Sequence, residues 1–259
     1  MKKLAFTLLL ALFLFSIVAA ETVVLGNGEW KPYLSKTLKH GGYASHIVTE
    51  AFKNVGIEVE YQWFGDSWAR AYSTAEEDEI NGTLIWSYEE ERAKSFYYSE
   101  NAVIAGQKTL LYYLKTNSIN WDGTAESLVG YNIGGHIGYT YGEEIDQAIE
   151  EGLLTFQMIS SDQNNILKLA SGRIDGIMMN SEVANELMLS ALTESQRESI
   201  TSAEIPIKEI TYHLLLNKTN PNNKELMNKF DRGFDMLEES GRLTELTENF
   251  ENGWYSSEE

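Results

Sequence analysis

The chain is expected to be an α/β protein of two lobes with largely parallel sheets, on three observations. Stretches of strand length rich in β-branched and apolar residues alternate nearly throughout with stretches of helical periodicity. About 239 of the 259 residues follow an expected leader, which is room for two units at the ~100–200 residues of a typical domain. The run Ile80-Asn81-Gly82-Thr83-Leu84 is also echoed, after a helix and a polar turn, by Ile174-Asp175-Gly176-Ile177-Met178. Two similar lobes would leave such a repeat; a chance likeness of two buried strands is the other explanation.

In order, Thr22 to Gly26 reads as a first strand and runs into the loop Gly28-Glu29-Trp30-Lys31-Pro32-Tyr33. Gly41-Gly42 opens a helix whose Ala44, Ile47, Val48, Ala51 and Phe52 recur at helical spacing, and Gly56 closes it. Val55 to Phe64 alternates as a second strand, and Asp66 or Ser67 caps a helix carrying Trp68, Ala71 and Tyr72. The acidic run Glu76 to Glu79 is a solvated helix end. Ile80 to Trp86 is a buried strand that leaves through Ser87 and Tyr88 into an acidic turn holding Arg92. Phe96 to Leu114 contains extended chain, and Asn117 to Gly123 is a polar loop.

Tyr131 to Ile137 is a strand, and Gly138-Tyr139-Thr140-Tyr141-Gly142 opens a helix through Ala148. Phe156 to Ser160 is a strand, and a helix capped by Ser161 or Asp162 ends at Gly172. Ile174 to Met179 is a strand, followed by a helix from Ser181 to about Leu192. Ile205 to Leu216 contains extended chain. A last helix puts Leu226, Phe230, Phe234 and Leu237 on one face, and a shorter one holds Leu243, Leu246 and Phe250.

Residues 1–20 read as a secretory signal: Lys2 and Lys3, an apolar run from Leu4 to Val18, then Val18-Ala19-Ala20 before Glu21. The apolar run is short for a membrane span, so the mature chain is expected not to be membrane-inserted. The sequence holds no cysteine, which excludes disulfides and a lipid-bearing cysteine after the signal. An exported bacterial protein without such an anchor is retained by an outer membrane, so a Gram-negative periplasm is the expected compartment. Beyond the signal, 18 basic residues stand against 39 acidic ones, a net charge of −21. Such a surface repels nucleic acid and anionic lipid.

Arg92 is the first candidate for ligand contact. A guanidinium matches a carboxylate in bidentate geometry, and this one follows Trp86-Ser87-Tyr88 at a strand's carboxyl end, where open α/β sheets build ligand crevices. Pairing with its three preceding glutamates is the alternative. Thr140, in a turn at a helix start, offers a hydroxyl beside free backbone amides, a potential anion site; simple capping explains it equally well. Trp30 and Trp68 lie near strand ends, where they can stack on a ligand or cover it. Arg70 could add a second cation, with a surface salt bridge the commoner role. The four histidines show no metal-ligand spacing, and neither a GxSxG elbow nor a phosphate loop is present. No catalytic residue, metal or cofactor is expected.

With these residues identified, the chain resembles the family 3 solute-binding proteins, the periplasmic receptors for polar amino acids that serve ABC importers. The likeness runs from Thr22 to about Trp254. It rests on Gly28-Glu-Trp-Lys-Pro-Tyr33, Ser87 through Arg92, Phe96-Tyr-Tyr-Ser99, Gly138-Tyr-Thr140 and Gly172-Arg-Ile-Asp175. It implies a type II periplasmic-binding-protein-like fold: two α/β lobes joined by two hinge strands, residues 21–105 with 212–259 forming one and 106–211 the other. It also implies that Arg92 takes the ligand carboxylate beside Ser87 and Thr140, that Trp30 stacks on the ligand, and that Trp68 lines the pocket. Asn180 falls where amino-acid receptors carry an aspartate for the α-ammonium, and a neutral amide there can only accept a hydrogen bond. The usual acid after Gly-Phe is also missing, since Gly42-Tyr43 is followed by Ala44.

The expected function is therefore capture of a small carboxylate-bearing ligand, an amino acid or relative, by a monomer that presents it to an ABC permease. Alternatives are a receptor feeding a sensor, and a dehydratase-like enzyme on the same fold using Glu29, Glu143 or Glu182 as general acid. A structural protein with no ligand is a further one.

Overall fold

The computed structural model describes residues 21–256, so the expected signal at residues 1–20 lies outside the described residues. The first strands and helices are β1 (Glu21–Asn27), α1 (Tyr43–Asn54), β2 (Ile57–Trp63), α2 (Trp68–Glu76), β3 (Gly82–Trp86), α3 (Glu90–Ser95) and β4 (Phe96–Tyr98). After β5 (Ile104–Leu114) come β6 (Asn132–His136), α4 (Glu143–Glu150), β7 (Thr155–Ile159), α5 (Asp162–Ala170), β8 (Gly176–Asn180), α6 (Ser181–Ala191), α7 (Glu194–Ser199) and β9 (Ile200–Ser202). The chain returns through β10 (Lys208–Asn217) and ends in α8 (Asn223–Glu239) and α9 (Arg242–Glu251).

Burial explains the helices. On α1 the side chains of Ala44, Ile47, Val48, Ala51 and Phe52 are all fully buried, and they pack against the Leu226, Phe230, Phe234 and Leu237 face of α8. Each large apolar side chain removed from water contributes roughly 1.5–3 kcal/mol. Gly56 and Gly172 follow their helices at φ +76° and +69°, the left-handed geometry that ends a helix.

Strand order is β2-β1-β3-β10-β5-β8-β6-β7, with β4 also on β10 and β9 on β5. The internal repeat is a repeat of topology. In the first half β1 pairs in parallel with β2 and β3, joining Leu25 to Gly82 and Gly26 to Thr83. In the second half β6 pairs in parallel with β7 and β8, joining Ile133 to Gly176 and Gly134 to Ile177. Among the described residues, parallel pairing is confined to these two triplets. The long strands β5 and β10 pair antiparallel with each other and with β8 and β3 respectively, because each runs back from one half toward the other. The expectation of largely parallel sheets holds for the two triplets and fails wherever β5 or β10 takes part, inside each lobe as well as between them.

Two helices depart from the expected pattern. The acidic turn around Arg92 is the short helix α3, with Glu90 and Glu91 in its first turn, where carboxylates complement the helix dipole. Helix α7, six residues long, is too short for its pattern to show in the sequence. It is held by a capping box in which Thr193 and Gln196 satisfy each other's backbone amides.

Asp231 on α8 supplies a pH-dependent test of the packing. Its carboxylate accepts from the Glu100 backbone amide at 3.0 Å, and burial pushes its pKa up to about 6. The unfolded chain loses that proton near the ordinary value of 3.8, so stability falls as pH rises between the two values. Asp231→Asn keeps the acceptor and removes the charge. It is expected to stabilise the protein at pH 7 by about 1 kcal/mol, allowing for partial exposure, and to change little at pH 3.5. Thermal melts at the two pH values check this; an equal gain at both would rule out the charge as its source.

Candidate ligand-binding site

A cavity of about 570 Å³ lies where β3, β8 and the crossing strands β5 and β10 meet α2, α3 and the turn before α4. Trp30, Trp68, Ser87, Arg92, Thr140 and Asn180, six residues spread over 150 positions of chain, all border it. Its wall is mainly aromatic and apolar, adding Tyr72, Ile85, Trp86, Tyr139, Met179 and Tyr212.

The strand end that carries Ser87 is bent. Ile85 sits at φ +45°, a left-handed conformation that costs a β-branched residue on the order of 1–3 kcal/mol. Beyond it, the Arg92 guanidinium lies 4.9 Å from the Trp86 ring centre, a cation–π contact. Its Nη1 donates to the Ser87 carbonyl at 3.0 Å and to Ser87 Oγ at 3.3 Å. Tyr98 OH donates to the same carbonyl at 3.1 Å, fixing the turn. The preceding glutamates do not neutralise this cation. Glu91 pairs with Lys94 at 2.5 Å, Glu89 accepts from Thr140, and among the described residues Arg92 has no ion pair.

Thr140 has a different setting from the expected one. The backbone amides of Tyr141 and Gly142 donate to Asp146, at 2.8 and 3.2 Å, so this helix start is filled by the chain's own carboxylate. Three acids crowd the first turn of α4, and Asp146 is the one that folds back. The Thr140 hydroxyl instead donates to Glu89 Oε1 at 2.6 Å and accepts from Lys208 Nζ at 2.7 Å. This chain of contacts ties the α3 side of the cavity to the turn before α4. Burial lowers the Lys208 pKa, opposed by Glu89 and Asp146.

Asn180 ends β8 and caps α6. Its Oδ1 accepts from the amides of Glu182 and Val183 at 3.0 and 3.2 Å, and its buried amide lies against the hydroxyls of Tyr33 and Tyr212. The acceptor expected to meet a ligand is thus already engaged as a helix cap. Trp30 is 7% exposed, packs edge-on against Tyr212 at 5.0 Å, and also leaves its Nε1 unpaired. Trp68, equally buried, meets Trp86 edge-on at 6.0 Å. Arg70 does not border the cavity and lies over Phe64 at 5.9 Å.

Sequence reading missed Glu89, Lys208, Tyr139 and Tyr212. The first two come together only through pairing of distant segments; Tyr139 stood in a turn already singled out. Trp30, Trp68 and Tyr139 also border a smaller, acidic cavity of about 300 Å³ with Asp66, His136 and Asp162. Burial raises the Asp162 pKa, and Tyr139 OH contacts its carboxylate at 3.4 Å. The proposed general acids lie elsewhere: Glu29 borders the acidic cavity, Glu182 a third one, and Glu143 is exposed on α4. Among the described residues no cluster of three His, Asp or Glu side chains is arranged to hold a metal ion, and no helix is long and apolar enough to cross a membrane.

Two α/β lobes joined by crossing strands, with a lined cavity at the junction, define a type II periplasmic-binding-protein-like fold. The chain belongs to the bacterial extracellular solute-binding proteins, family 3, whose model matches residues 23–253. Among solved structures it is similar to a histidine kinase sensor domain with similarity to periplasmic binding proteins, at 15% identity and TM-score 0.73, covering 89% of this chain and 96% of that one. It is similar to an ancestral arginine-binding protein bound to arginine, at 16% identity and TM-score 0.71, covering 88% and 97%. It is also similar to AbpA of Streptococcus pneumoniae, an amino acid ABC transporter substrate-binding protein bound to L-arginine, at 18% identity and TM-score 0.66, covering 88% and 94%. At these identities the likeness is one of fold. A comparison with curated protein sequences found no match.

Proposed function

We propose that this protein captures a small carboxylate-bearing molecule, an amino acid or a relative, in the cavity between its lobes and delivers it to an ABC importer. The observation that carries the reading is Arg92: a cation on the cavity wall, steadied by Ser87 and Trp86, with no ion pair among the described residues. A carboxylate is its natural counterpart in charge and in planar geometry. Ser87 lies beside that carboxylate, Trp30 and Trp68 cover the ligand's body, and Asn180 meets its second polar group. Thr140 orders the wall through Glu89 and Lys208.

In this reading the lobes comprise residues 21–105 with 212–259, and 106–211. The two crossings fall inside β5 and β10, whose pairing registers shift between Ile210 and Tyr212 and between His213 and Leu215. Hinge closure about these strands buries the ligand, and the closed form is what a permease recognises. The protein acts as a monomer in the periplasm of a Gram-negative cell, after removal of residues 1–20, and returns its ligand chemically unchanged.

A thermal-shift panel of amino acids and simple carboxylates on the mature protein is expected to find ligands that raise Tm, each recovered intact after incubation. Turnover of a hit would favour the enzymatic alternative, and a panel without hits would contradict the proposal. A receptor feeding a sensor is the second reading, favoured by the fold shared with a kinase sensor domain. Crosslinking in native envelopes with ligand present separates the two, since it captures either a permease or a sensor.

A further inference from the structure

Arg92, Ser87 and Asn180 are the groups that the receptor reading gives to the ligand's polar end. Much of the remaining hydrogen-bonding capacity around the main cavity is spent within the protein. The Thr140 hydroxyl lies between Glu89 and Lys208, and Trp86 Nε1 donates to Thr83 Oγ1 at 3.2 Å. Tyr141 OH accepts from the His136 amide at 2.6 Å, and Tyr139 OH donates to the Asp162 carboxylate at 3.4 Å. Glu76, Glu91 and Lys94 are exposed at the rim, and the last two pair with each other.

The rest of the border is apolar and comes from both lobes. Trp68, Tyr72, Ile85 and Trp86 contribute from one side of the cavity, Ile137 and Met179 from the other. Tyr72 meets Trp86 edge-on at 5.3 Å and Trp68 meets it at 6.0 Å, so the three rings fix one another beside the Arg92 guanidinium. Ile137 follows a run of four buried residues and is itself 50% exposed. It is apolar surface at the cavity that an apolar ligand would take out of water. The volume of about 570 Å³ falls in the ~300–1,000 Å³ range of sites that hold ligands larger than a few atoms.

We infer, resting on the receptor reading above, that the body of the ligand is apolar, an aromatic ring or a branched aliphatic chain. Carboxylates whose side chain ends in an amide, a second carboxylate or a cation are disfavoured. An apolar end removes its own surface and that of the wall from water together, and a ring can lie against Trp68, Trp86 and Tyr72. An amide or a charge in the same place gives up its water where most donors and acceptors are already engaged. An arginine-like cation is the sharpest competitor, because Asp66 and Asp162 border the smaller cavity that shares Trp30, Trp68 and Tyr139 with this one.

The test is calorimetric titration of the mature protein with two series matched in the side chain. One is phenylalanine, leucine, glutamate and arginine; the other is the same four without the amine: 3-phenylpropionate, 4-methylpentanoate, glutarate and 5-guanidinopentanoate. In whichever series binds, the phenyl and branched members are expected to bind at least about tenfold tighter than the charged ones. Trp68→Ala is expected to shrink that ratio by about tenfold. Ile137→Asn, at a half-exposed position that the fold tolerates, is the second variant and is expected to shrink it by about threefold. Glutamate, arginine or their amine-free forms binding as tightly as the apolar members would overturn the inference. So would an apolar preference that neither variant reduces, since this wall would then not be its source. No response to either series or to any carboxylate of the broader panel removes the receptor reading and this inference together. A response led by charged members and lost in Arg92→Ala removes the inference alone.

Discussion

Replacing Arg92 with alanine is expected to abolish the thermal shift produced by any carboxylate hit while leaving the unliganded melting temperature nearly unchanged. The two halves of that expectation have separate causes. In the folded protein Arg92 makes two contacts to Ser87 and one to the Trp86 ring, none of them an ion pair, and Tyr98 also holds the Ser87 carbonyl. Losing it therefore costs the fold little. Losing a guanidinium from a carboxylate in a mostly apolar cavity removes a charge-assisted pair and strands the ligand's charge, at about 2–5 kcal/mol, or roughly 30- to several-thousand-fold in affinity. Titration calorimetry on both proteins measures it. An affinity within about threefold of native would remove Arg92 from the site.

Gly82→Ala is expected to be the most damaging single methyl on the sheet. A Cβ built there would stand 1.9 Å from the Leu215 carbonyl oxygen, on the strand that crosses between lobes, and a backbone atom cannot swing aside. The strand pair must part, at a cost above ~3 kcal/mol, which for a chain of this size lowers Tm by about 6–12 °C or more. Its twin in the other lobe supplies the control. A Cβ at Gly176 would meet the Ile119 methyl at 2.9 Å and the Tyr112 carbonyl only at 3.2 Å, so Gly176→Ala is expected to cost less than half as much. Equal losses at the two positions would mean that contact with the crossing strand is not what requires glycine at Gly82.

That pair of glycines also marks how far sequence reading reached. The repeat around Gly82 and Gly176 was visible, and it corresponds to two β-strand triplets of matching register. Helices α1 and α8 were legible because their buried faces follow the helical period without interruption. The antiparallel crossing of β5 and β10 was not, since nothing local to Ile104–Leu114 encodes a partner a hundred residues away. Four charged residues in a row, Glu89 to Arg92, read as a turn because a six-residue helix has no room to show a period.

The cavity followed the same division. Residue type and position point to Arg92, Ser87, Trp30, Trp68 and Thr140, the family resemblance adds Asn180, and all six border one space. What their polar atoms are free to do was decided by neighbours. Asp146, four residues beyond Gly142, takes the amides that left Thr140 looking like an anion site. The start of α6 takes the Asn180 oxygen, the expected acceptor, for its own backbone amides. Both are helix-start effects, in which a short polar side chain satisfies backbone groups before a ligand can use them.

The central claim is that a small carboxylate is held between the lobes by Arg92. A crystal structure of the mature protein with its tightest carboxylate hit tests it most directly. The expected result is the ligand carboxylate in two parallel contacts with the guanidinium, at about 2.7–2.9 Å, with Trp30 and Trp68 against the ligand's body. A ligand bound outside this cavity, or one lying in it with its carboxylate away from Arg92, would contradict the claim.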